Sequence, residues 1–540
     1  MKCSVIGYVV NNISLPFNAS FKEAFSVARR KLRAVGVNTD GLGLSVYRRS
    51  VDARKKNDIR FVYSIRASGD LPDIPAEQLS KHGISIDTCS APEICFGRQR
   101  QNAPVVIVGS GPCGLFCALM LAENGYQTVL IERGGSVDER KKAIDRFKSE
   151  RLLDTNTNIQ FGAGGAGTFS DGKLVTRINS PLCGYILNKM IEFGAPADIS
   201  FVAKPHVGTD VLSVVIDNVI RRIRDLGGTV LFNTTFLGYK MSGDKIVSAK
   251  TSLGDIACSD LVLAVGHSAR DTYFSLIENG VNVEPKSFSV GMRIEHPTEL
   301  IDRAMYGEHA GDPILGHAEY NLSYNTKVRG VYTFCMCPGG VVVAATSEQG
   351  GVVTNGMSYH ARDGKNSNSA VCCTVFKEDY GSSATDAINF QRKIERAAFV
   401  AGGSDYSAPI ITVGDFLSGE LKHTPSNVLP SYMDGSGVKL SRPEEYLPLF
   451  ITENIKSGLF DFDKKIKGFA SLSAVLTGPE TRTSSPVRII RDITTGLATG
   501  FTNLYPAGEG AGYAGGITSA AIDGVRTALE IMKKYLPGIG

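Results

Sequence analysis

The first 95 residues alternate hydrophobic and polar positions in a way that predicts a small N-terminal α+β domain, residues 1–95. CSVIGYVV is typical of a strand, and the next hydrophobic positions are spaced as on one face of a helix that ends at Gly36. Two further strand patterns flank the polar segment DARKKND, which predicts a β-hairpin.

A strand, a glycine-rich turn, a helix and another strand follow one another in residues 104–135. The run Val105–Val108 is short and β-branched, as is typical of a parallel strand buried on both faces. The order of helix and then strand recurs in residues 211–237, and Leu261–Val265 indicates another buried strand. This succession predicts an α/β domain with a parallel sheet.

The remaining pattern completes the predicted division of the chain. Residues 96–103 are polar and indicate a linker, after which 104–284 form the first part of a Rossmann-type domain. Residues 285–480 mix strand and helix patterns and indicate an inserted α/β domain on the substrate side. Residues 481–540 return to a strand, a glycine-rich turn and a helix, which would complete the Rossmann-type domain.

The composition is that of a globular chain without a strong charge bias. Of 540 residues, 43% are hydrophobic and 21% are charged, and the net charge of +4 does not by itself indicate a nucleic-acid or membrane partner. No run reaches the roughly 18 apolar residues of a membrane span, and the N-terminus lacks a signal-peptide pattern. The 11 cysteines show no metal-binding spacing, so we expect reduced thiols, no metal site and a cytoplasmic location.

Gly109, Gly111 and Gly114 form a G-x-G-x-x-G sequence between a predicted strand and a predicted helix. In this context the first glycine makes the tight turn, the second lets the backbone approach a pyrophosphate, and the third lets helix and strand pack closely. The helix N-terminus offers N–H groups and partial positive charge to phosphates. The sequence therefore predicts a dinucleotide site.

Glu132 ends the next predicted strand, 18 positions after Gly114. An acid at this place accepts hydrogen bonds from the adenosine ribose and disfavours the 2′-phosphate of NADP. Arg133 with two glycines follows, and then a second glycine-rich loop, FGAGGAGTFSDGKL. Further glycine loops suit a large, extended dinucleotide, so we expect FAD; the alternative is a structural loop. The candidates for cofactor contact in this loop are Gly164, Gly165, Gly167, Thr168, Ser170 and Lys173.

Ten stretches, spread over nearly the whole chain, carry a resemblance to a known family. They are RRSVDARKK, VVIVGSGPCGLF, FGAGGAGTFSDGKL, KPHVGTD, VGHSARDT, VGMRIEHP, FCMCPGG, NGMSYHARDG, LTGPETRTSSPVRI and LYPAGEGAGYAGG. They resemble the uncharacterised FAD-dependent dehydrogenases, FAD/NAD(P)-binding oxidoreductases of the glutathione-reductase-like superfamily. The resemblance implies a Rossmann-type FAD domain, an inserted substrate domain and a small N-terminal domain, and it names no substrate.

The resemblance also implies roles for residues near the C-terminus. In that superfamily an acid at the end of a strand binds the ribityl chain; it is usually Asp, whereas the matching residue here is Glu509. Which hydroxyl the longer side chain would bind stays open. The element around Gly266 resembles the one that closes over the adenine side, and the C-terminal helix would point its N-terminus at the flavin. The C-terminal glycines concerned are Gly508, Gly510, Gly515 and Gly516.

The segment GPETRTSSPVR is the first candidate for substrate contact near the flavin N5. Arg482 suits a bidentate contact with a substrate carboxylate, and Thr483 is a further donor. The alternative is that Arg482 pairs with Glu480 or with FAD itself.

Two further motifs are candidates for the same place. In GMRIEHP, Arg293 is a donor and His296 follows an acid, which suits proton transfer; the alternative is a strand edge with a salt bridge. In FCMCPGG, Cys335 or Cys337 would lie near the flavin; the alternative is a strand with buried thiols.

We predict an FAD-dependent oxidoreductase that binds FAD non-covalently and passes hydride between a small-molecule substrate and flavin N5. The sequence contains no second dinucleotide fingerprint, so NAD(P)H is expected only as a transient reductant. Two alternatives stay open: FAD bound without turnover, and a flavoprotein whose N-terminal hairpin binds nucleic acid. The sequence gives no indication of oligomeric state. The basic residues of that hairpin are Arg48, Arg49, Arg54, Lys55 and Lys56.

Overall fold

The computed structural model describes residues 5–88, 92–326 and 328–537. The described chain divides into two compact units. Unit 1 comprises Met1–Glu93, Arg177–His206 and Glu299–Ala318, and unit 2 comprises Ile94–Thr176, Val207–Thr298 and Glu319–Gly540. The hydrophobic pattern gave no sign that residues 177–206 and 299–318 belong with the N-terminal segment. The predicted division of the remaining chain into a Rossmann-type domain and an insertion stays a prediction.

The described residues form 23 strands and 13 α-helices. The strands are β1 (Val5–Pro16), β2 (Gly43–Asp52), β3 (Arg60–Ser68), β4 (Ile84–Thr88), β5 (Val105–Val108), β6 (Thr128–Ile131), β7 (Thr229–Leu231), β8 (Phe236–Ser242), β9 (Lys245–Thr251), β10 (Gly254–Ala257), β11 (Asp260–Leu263), β12 (Val283–Pro285), β13 (Phe288–Pro297), β14 (Ser323–Asn325), β15 (Gly330–Cys337), β16 (Val341–Ala344), β17 (Thr354–Met357), β18 (Asn366–Val375), β19 (Ala408–Thr412), β20 (Val438–Leu440), β21 (Val475–Glu480), β22 (Val487–Ile489) and β23 (Leu504–Pro506).

The helices are α1 (Phe21–Ala34), α2 (Ala76–Lys81), α3 (Pro112–Glu123), α4 (Val137–Glu150), α5 (Leu182–Glu192), α6 (Thr209–Asp225), α7 (Arg270–Glu278), α8 (Thr298–Tyr306), α9 (Lys377–Tyr380), α10 (Ala384–Ala401), α11 (Val413–Ser418), α12 (Leu449–Lys465) and α13 (Ile517–Met532). Among these helices, none in the described ranges combines the length and the apolar character that a membrane crossing requires.

Unit 1 contains an antiparallel four-stranded sheet in the order β2-β3-β1-β4. Strand β3 alternates buried and half-buried residues, as a strand with one face on the core does. Helix α1 buries Ala24, Ala28 and Leu32, which recur at helical spacing on one face. The predicted strand, helix and hairpin are confirmed, although the first two residues of the predicted strand, Cys3 and Ser4, lie outside the described residues.

The basic cluster on the β2–β3 hairpin is partly engaged within unit 1. The guanidinium of Arg49 lies 4.9 Å from the ring centroid of Phe61 and 5.7 Å from that of Phe201. Arg54 forms an ion pair with Asp52, and both belong to the same hairpin. These contacts give two of the five basic residues a structural role, and no observation in the described residues favours a nucleic-acid partner.

Unit 2 contains a parallel five-stranded sheet in the order β23-β11-β5-β6-β7. Its inner strands β5 and β11 are buried at every position, which explains why their sequences are continuously apolar. The C-terminal strand β23 lies beside β11, although some 240 residues separate the two strands in sequence. The α/β fold with a Rossmann-type parallel sheet is therefore confirmed.

Helices α3 and α13 pack closely, and a glycine makes the contact possible. Helix α3 is buried on all sides from Cys113 to Ala122, which fits its uniformly apolar sequence. A Cβ atom added to Gly524 of α13 would lie 2.0 Å from the carbonyl oxygen of Cys113. The backbones of the two helices therefore approach more closely than any side chain at residue 524 would permit.

The polar segment 96–103 is anchored, whereas the sequence predicted a linker. The backbone N–H of Gly97 donates to the carbonyl of Met532, and that of Gln99 donates to the carbonyl of Lys534. A Cβ atom at Gly97 would lie 2.2 Å from the carbonyl carbon of Lys534. The backbone hydrogen bonds of this segment, which polarity alone does not reveal, tie it to the end of α13.

A mixed seven-stranded sheet in the order β14-β15-β18-β13-β21-β19-β20 occupies much of residues 288–480. Strand β13 lies in its middle and pairs antiparallel with β18 on one side and β21 on the other. Nine of its ten residues are buried, from Phe288 to His296. The interpretation of GMRIEHP as a strand edge was therefore wrong, because this motif forms the centre of the sheet.

Candidate dinucleotide site

The first glycine turn joins β5 to α3, as the G-x-G-x-x-G sequence predicts. Gly109 has a φ of +98°, and a Cβ atom there would lie 2.4 Å from the carbonyl oxygen of Ala264. A Cβ atom at Gly114 would lie 1.9 Å from the carbonyl oxygen of Gly109. Close approach of protein backbone therefore explains both glycines.

Gly111 differs from its neighbours in the fingerprint, because the protein does not require a glycine there. Its φ is −67°, and the nearest atom to an added Cβ is the Cα of Gly165 at 3.9 Å. An alanine would fit this position by the ordinary standards of van der Waals contact. The missing side chain thus leaves space at the N-terminus of α3, where a phosphate finds N–H donors and partial positive charge.

The second glycine loop lies against this turn. The N–H of Gly164 donates to the carbonyl of Ser110 over 3.0 Å, and a Cβ at Gly165 would lie 3.0 Å from the Cα of Gly111. Gly165 also has a φ of +63°, which favours glycine. A Cβ at Gly167 would lie 3.0 Å from the side chain of Ile517, at the start of α13. The two loops that the sequence assigned to FAD are therefore in contact.

Arg140 holds the second loop in shape, and the sequence analysis missed it. This residue of α4 is fully buried, and its guanidinium donates to the carbonyls of Asn158, Ile159, Ala163 and Gly165. Burial lowers its pKa to about 9, while the charge of Glu132 opposes the shift. In the sequence it stands among charged residues of an amphipathic helix, so no pattern marks it as buried.

Glu132 connects the two loops through its carboxylate. One oxygen accepts from the N–H groups of Gly134 and Gly162, and the other accepts from the N–H and hydroxyl of Ser110. A carboxylate offers about four acceptor positions, so these protein donors use them all. The prediction that Glu132 binds the adenosine ribose stays a prediction, and it requires at least one of these donors to give way.

The third glycine segment follows β23. Gly508 has a φ of +75° and donates its N–H to the carboxylate of Asp523 over 2.7 Å. A Cβ at Gly510 would lie 2.6 Å from the carbonyl oxygen of Gly266, in the loop after β11. The hydroxyl of Tyr273 donates to the carbonyls of both Gly266 and Gly510, at 2.9 and 2.8 Å.

Asp523 and Arg491 fix this segment, and the sequence analysis missed them as well. Arg491 forms a bidentate ion pair with Asp523, at 2.9 and 2.7 Å, and donates to the carbonyl of Pro506. Its guanidinium also lies 4.0 Å from the ring centroid of Tyr513. A signal for Asp523 did exist, because a carboxylate within the otherwise apolar run AAIDGV of α13 needs a buried partner.

The three segments, residues 109–114, 162–167 and 508–512, form what we call the glycine cradle. The first and third follow parallel strands of one sheet, and the carboxyl ends of such strands meet at one edge. Ligands of open α/β sheets bind outside these carboxyl ends. The cradle thus has the position, the free space at Gly111 and the helix N-terminus that a dinucleotide pyrophosphate needs.

Comparison with known proteins gives the same assignment. Residues 102–145 match the model of a family described as FAD binding domain, and residues 287–483 match one described as FAD-dependent protein, C-terminal domain-like. An uncharacterized protein of Clostridium beijerinckii is 43% identical over 532 residues, which cover 97% of this chain and 98% of the other. The chain belongs to a family of FAD-dependent proteins. Its membership of the glutathione-reductase-like superfamily stays a prediction.

Solved structures resemble this chain only weakly. The structure of CtdE in complex with FAD is 11% identical, covers 80% of this chain and 84% of its own, and has a TM-score of 0.31. L-amino acid deaminase from Proteus vulgaris is 14% identical, with 83% and 97% covered and a TM-score of 0.34. Glycine oxidase from Bacillus cereus is 10% identical, with 80% and 95% covered and a TM-score of 0.31. At such TM-scores these likenesses do not bear on the chemistry of this chain.

Glu509 belongs to the third segment of the cradle, and its contact with a ribityl chain stays a prediction. Burial raises its pKa to about 7, and the nearby ammonium of Lys286 opposes this shift. The side chain is half-buried. A carboxyl that titrates near neutral pH can act either as donor or as acceptor toward a hydroxyl, so its proposed contact with a ribityl chain suits both protonation states.

Other predicted cofactor residues contact protein atoms around the cradle. Arg133 pairs with Asp271 at 2.9 Å and lies 4.5 Å from the ring centroid of Phe161. Thr168 and Ser170 donate their hydroxyls to loop carbonyls, and Lys173 donates its ammonium to the carbonyl of Met336. Gly515 and Gly516 precede α13, and an added Cβ would meet nothing closer than 4.0 Å at either position.

Arg293 is a buried structural residue in the middle of the seven-stranded sheet. Its guanidinium makes a bidentate ion pair with Glu480, at 2.9 and 3.2 Å, and donates to Asn368 over 2.7 Å. It also donates to the carbonyl of Cys335. The salt bridge that the sequence analysis considered for GMRIEHP is thus present, with Arg293 as its cation.

Glu295 and His296 do not act on one another, although they are neighbours in sequence. Adjacent residues of a strand point to opposite faces. The carboxylate of Glu295 accepts from Ser431 and Asn366, while Nε2 of His296 lies 2.6 Å from the carbonyl oxygen of Phe469. Burial lowers the pKa of His296 to about 4, so the ring is neutral at physiological pH. The hypothesis of an acid–histidine pair was therefore wrong.

Arg482 pairs with Glu395 of α10, whereas the sequence analysis considered Glu480 as its partner. The two side chains lie 3.1 Å apart, and Arg270 binds the same carboxylate at 2.7 Å. These charges hold the carboxyl of Glu395 in its ionised form, and its pKa is lowered although burial alone would raise it. Arg482 is almost fully buried in this network.

Thr483 is the last of the predicted catalytic residues. Its hydroxyl donates to the carbonyl of Ser289 over 2.9 Å, which ties the segment after β21 to β13. The four predicted catalytic residues therefore belong to separate buried contacts, and protein partners already satisfy the polar groups of Arg293, Arg482 and Thr483. Their roles in catalysis stay predictions. In the described residues, no group of three potential ligands has the arrangement of a metal site.

Proposed function

We propose that this protein is an FAD-dependent oxidoreductase that binds FAD non-covalently in the glycine cradle and acts on a small-molecule substrate. The observation that carries the proposal is the space at Gly111. The other glycines of the fingerprint are explained by protein packing, whereas Gly111 is explained by a ligand that approaches the N-terminus of α3. The match of residues 102–145 to an FAD binding domain supports FAD as that ligand.

When bound, FAD supplies the hydride transfer at its N5, which no protein side chain provides. The chain's own contribution is binding and electrostatics. The backbone around Gly111 and Gly165 would hold the pyrophosphate, and Glu509 would hold the ribityl chain. Glu132 would hold the adenosine ribose once one of its present donors gives way. The partial positive charge at the N-terminus of α13, after Gly516, favours negative charge on a reduced ring.

In this proposal, neither Arg293 nor Arg482 binds a carboxylate group of the substrate. Both guanidinium groups already pair with buried carboxylates, and removing either partner would leave an uncompensated buried charge. NADH or NADPH is the proposed reductant. Because the sequence contains a single dinucleotide fingerprint, the nicotinamide would bind only transiently.

Anaerobic mixing of the FAD-loaded protein with NADH and, separately, with NADPH tests this proposal. We expect the flavin absorbance to bleach with at least one of them and to return when air is admitted. Free FAD at the same concentration is the control for direct reduction. A bound flavin that stays oxidised with both nucleotides, but is reduced by dithionite, would instead support FAD binding without turnover.

A further inference from the structure

Strand β15 carries a bulge at its end, at the C-x-C sequence of Cys335 and Cys337. In its pairing with β18, Phe334 lies opposite Ala370 and Cys337 lies opposite Asn368. Strand β15 therefore has one residue more than β18 across this interval. Cys335 has a φ of +46°, a conformation that residues other than glycine rarely adopt. Bulges of this kind are frequent next to functional sites.

The bulge brings the two cysteines into one small site. The sulfur of Cys337 lies 3.3 Å from the carbonyl oxygen of Cys335, and Nη1 of Arg293 lies 3.8 Å from the same sulfur. The Cys335 side chain is partly exposed, whereas Cys337 is buried. Of the two cysteines, Cys335 is therefore the more accessible to a small molecule.

Three charged groups, on two parts of the chain, act on these thiols. Arg293 faces them from β13, and Lys173 and Asp171 face them from the end of the second glycine loop. Hydrogen bonding with Cys337, together with the charges of Arg293 and Lys173, lowers the pKa of Cys335 to about 6. Burial and Asp171 oppose this shift. The pKa of Cys337 is raised well above the usual range, so Cys335 is the thiolate and Cys337 the thiol.

We propose that Cys335 and Cys337 form a redox-active dithiol that reduces low-molecular-weight disulfides. The Cys335 thiolate attacks one sulfur of the small disulfide, forms a mixed disulfide and releases one thiolate. Cys337 then loses its proton and attacks the Cys335 sulfur, which releases the second thiol and leaves a Cys335–Cys337 disulfide. One small disulfide is reduced to two thiols, and one protein dithiol is oxidised.

A second cysteine pair in the same sheet, Cys372 and Cys373, shows that the position of a thiol decides its pKa. Cys372 and Cys373 are adjacent on β18, so their side chains point to opposite faces of the sheet. Both are buried, and burial raises the pKa of Cys373 to about 12 and that of Cys372 well above its usual range. This pair lies in the same sheet but has no bulge and no exposed member, so it serves as an internal control.

The pH dependence of alkylation tests the reactivity of Cys335 in the unmodified protein. At pH 6 about half of Cys335 is thiolate, against well under 1% of an ordinary thiol with a pKa of about 8.5. A thiolate of low pKa is also a weaker nucleophile, which reduces the rate advantage of Cys335 about tenfold. We therefore expect iodoacetamide to label Cys335 roughly tenfold faster than an ordinary thiol at pH 6, with Cys372 and Cys373 unlabelled.

Treatment with oxidised glutathione, followed by peptide mass analysis, tests the disulfide. We expect the peptide with Cys335 and Cys337 to lose two hydrogens. Cys337→Ser should retain glutathione on Cys335, Cys335→Ser should take up none, and the control Cys183→Ser, which alters a half-buried cysteine elsewhere, should behave as the unmodified protein.

Three results would overturn the proposal: both thiols stay reduced in the unmodified protein, Cys337→Ser takes up no glutathione, or Cys335→Ser takes up as much glutathione on this peptide as Cys337→Ser does. Because the alkylation and mass measurements on the unmodified protein need no variant, they decide the matter even if a variant fails to fold. The reaction does not use FAD, so a failure of the proposed FAD function would leave its outcome unchanged.

Discussion

At the scale of single residues, the cradle depends on buried charged groups whose partners are backbone atoms. The side chains of Arg140 and Glu132 together make at least eight hydrogen bonds, seven of them with backbone groups and one with the hydroxyl of Ser110, and none of these partners carries a charge. Buried polar groups stabilise a loop when they are fully hydrogen-bonded and cost free energy when a partner is removed.

Replacing Arg140 by alanine should therefore destabilise the protein. The change leaves the carbonyls of Asn158 and Ile159 without a hydrogen-bond donor among the described residues, and each unsatisfied buried group costs about 1–3 kcal/mol. The carbonyls of Ala163 and Gly165 lose one donor and keep Thr168 as the other. We expect the free energy of unfolding to fall by at least about 3 kcal/mol in urea denaturation. Arg146→Ala is the matched control, since Arg146 lies exposed on the same helix and its change should cost well under 1 kcal/mol. Equal effects of the two changes would refute this role.

Glu509 should make stability depend on pH. Its pKa is raised to about 7 in the folded protein, so the protonated form is favoured there relative to the unfolded chain. The stabilisation is fully present below the ordinary carboxyl pKa of about 4.3 and is lost as the pH rises through about 7. The Glu509→Gln variant has no carboxyl group to ionise at this position and so does not lose this stabilisation. The free energy of unfolding of the variant, minus that of the unmodified protein, should therefore rise between pH 5 and pH 8 when both are free of FAD. The exposed Glu453→Gln should show no such trend; a flat difference for Glu509→Gln as well would contradict the shift.

At the scale of elements, close backbone approach decides where glycine is needed. The sequence predicted the strand, turn and helix at 104–125 correctly because apolar runs, glycine spacing and helix periodicity are local signals. It could not predict that α13 would pack on α3 through Gly524, because nothing local in α13 indicates which helix will face it.

Gly524→Ala should destabilise the protein although alanine is the better helix former. The propensity gain of about 1 kcal/mol is outweighed by a Cβ placed 2.0 Å from the carbonyl oxygen of Cys113, because overpacking costs typically 1–3 kcal/mol or more. Thermal unfolding of the FAD-free protein measures the effect, and we expect a lower midpoint. A higher midpoint would mean that the two helices are not in this close contact.

At the scale of the whole molecule, the fold was largely predictable and the partners of buried charges were not. The return of the chain to the sheet at β23 follows from its strand and glycine turn. By contrast, Arg293 meets Glu480 and Arg482 meets Glu395 over separations of 187 and 87 residues. A sequence pattern with short period carries no information about such pairs, which is why donor-rich motifs were interpreted as substrate contacts.

Among the glycines of the fingerprint, Gly111 is the best position at which to probe the cradle by substitution. Replacing Gly109 would disturb the fold itself, because its φ is +98° and an added Cβ meets the backbone of Ala264. Gly111→Ala adds its methyl group only to the open space. Gly351→Ala is the matched control, since its Cβ would likewise meet only an ordinary contact, 3.5 Å from Glu395, and residue 351 belongs to none of the three cradle segments.

The most direct test is the affinity for FAD of these two variants and the unmodified protein, measured by titration of the FAD-free forms. All three should unfold at closely similar temperatures without FAD. Gly351→Ala should bind FAD as the unmodified protein does, whereas Gly111→Ala should raise the Kd at least about tenfold, equivalent to about 1.4 kcal/mol. An unchanged Kd for Gly111→Ala would contradict the assignment of the cradle to the FAD pyrophosphate.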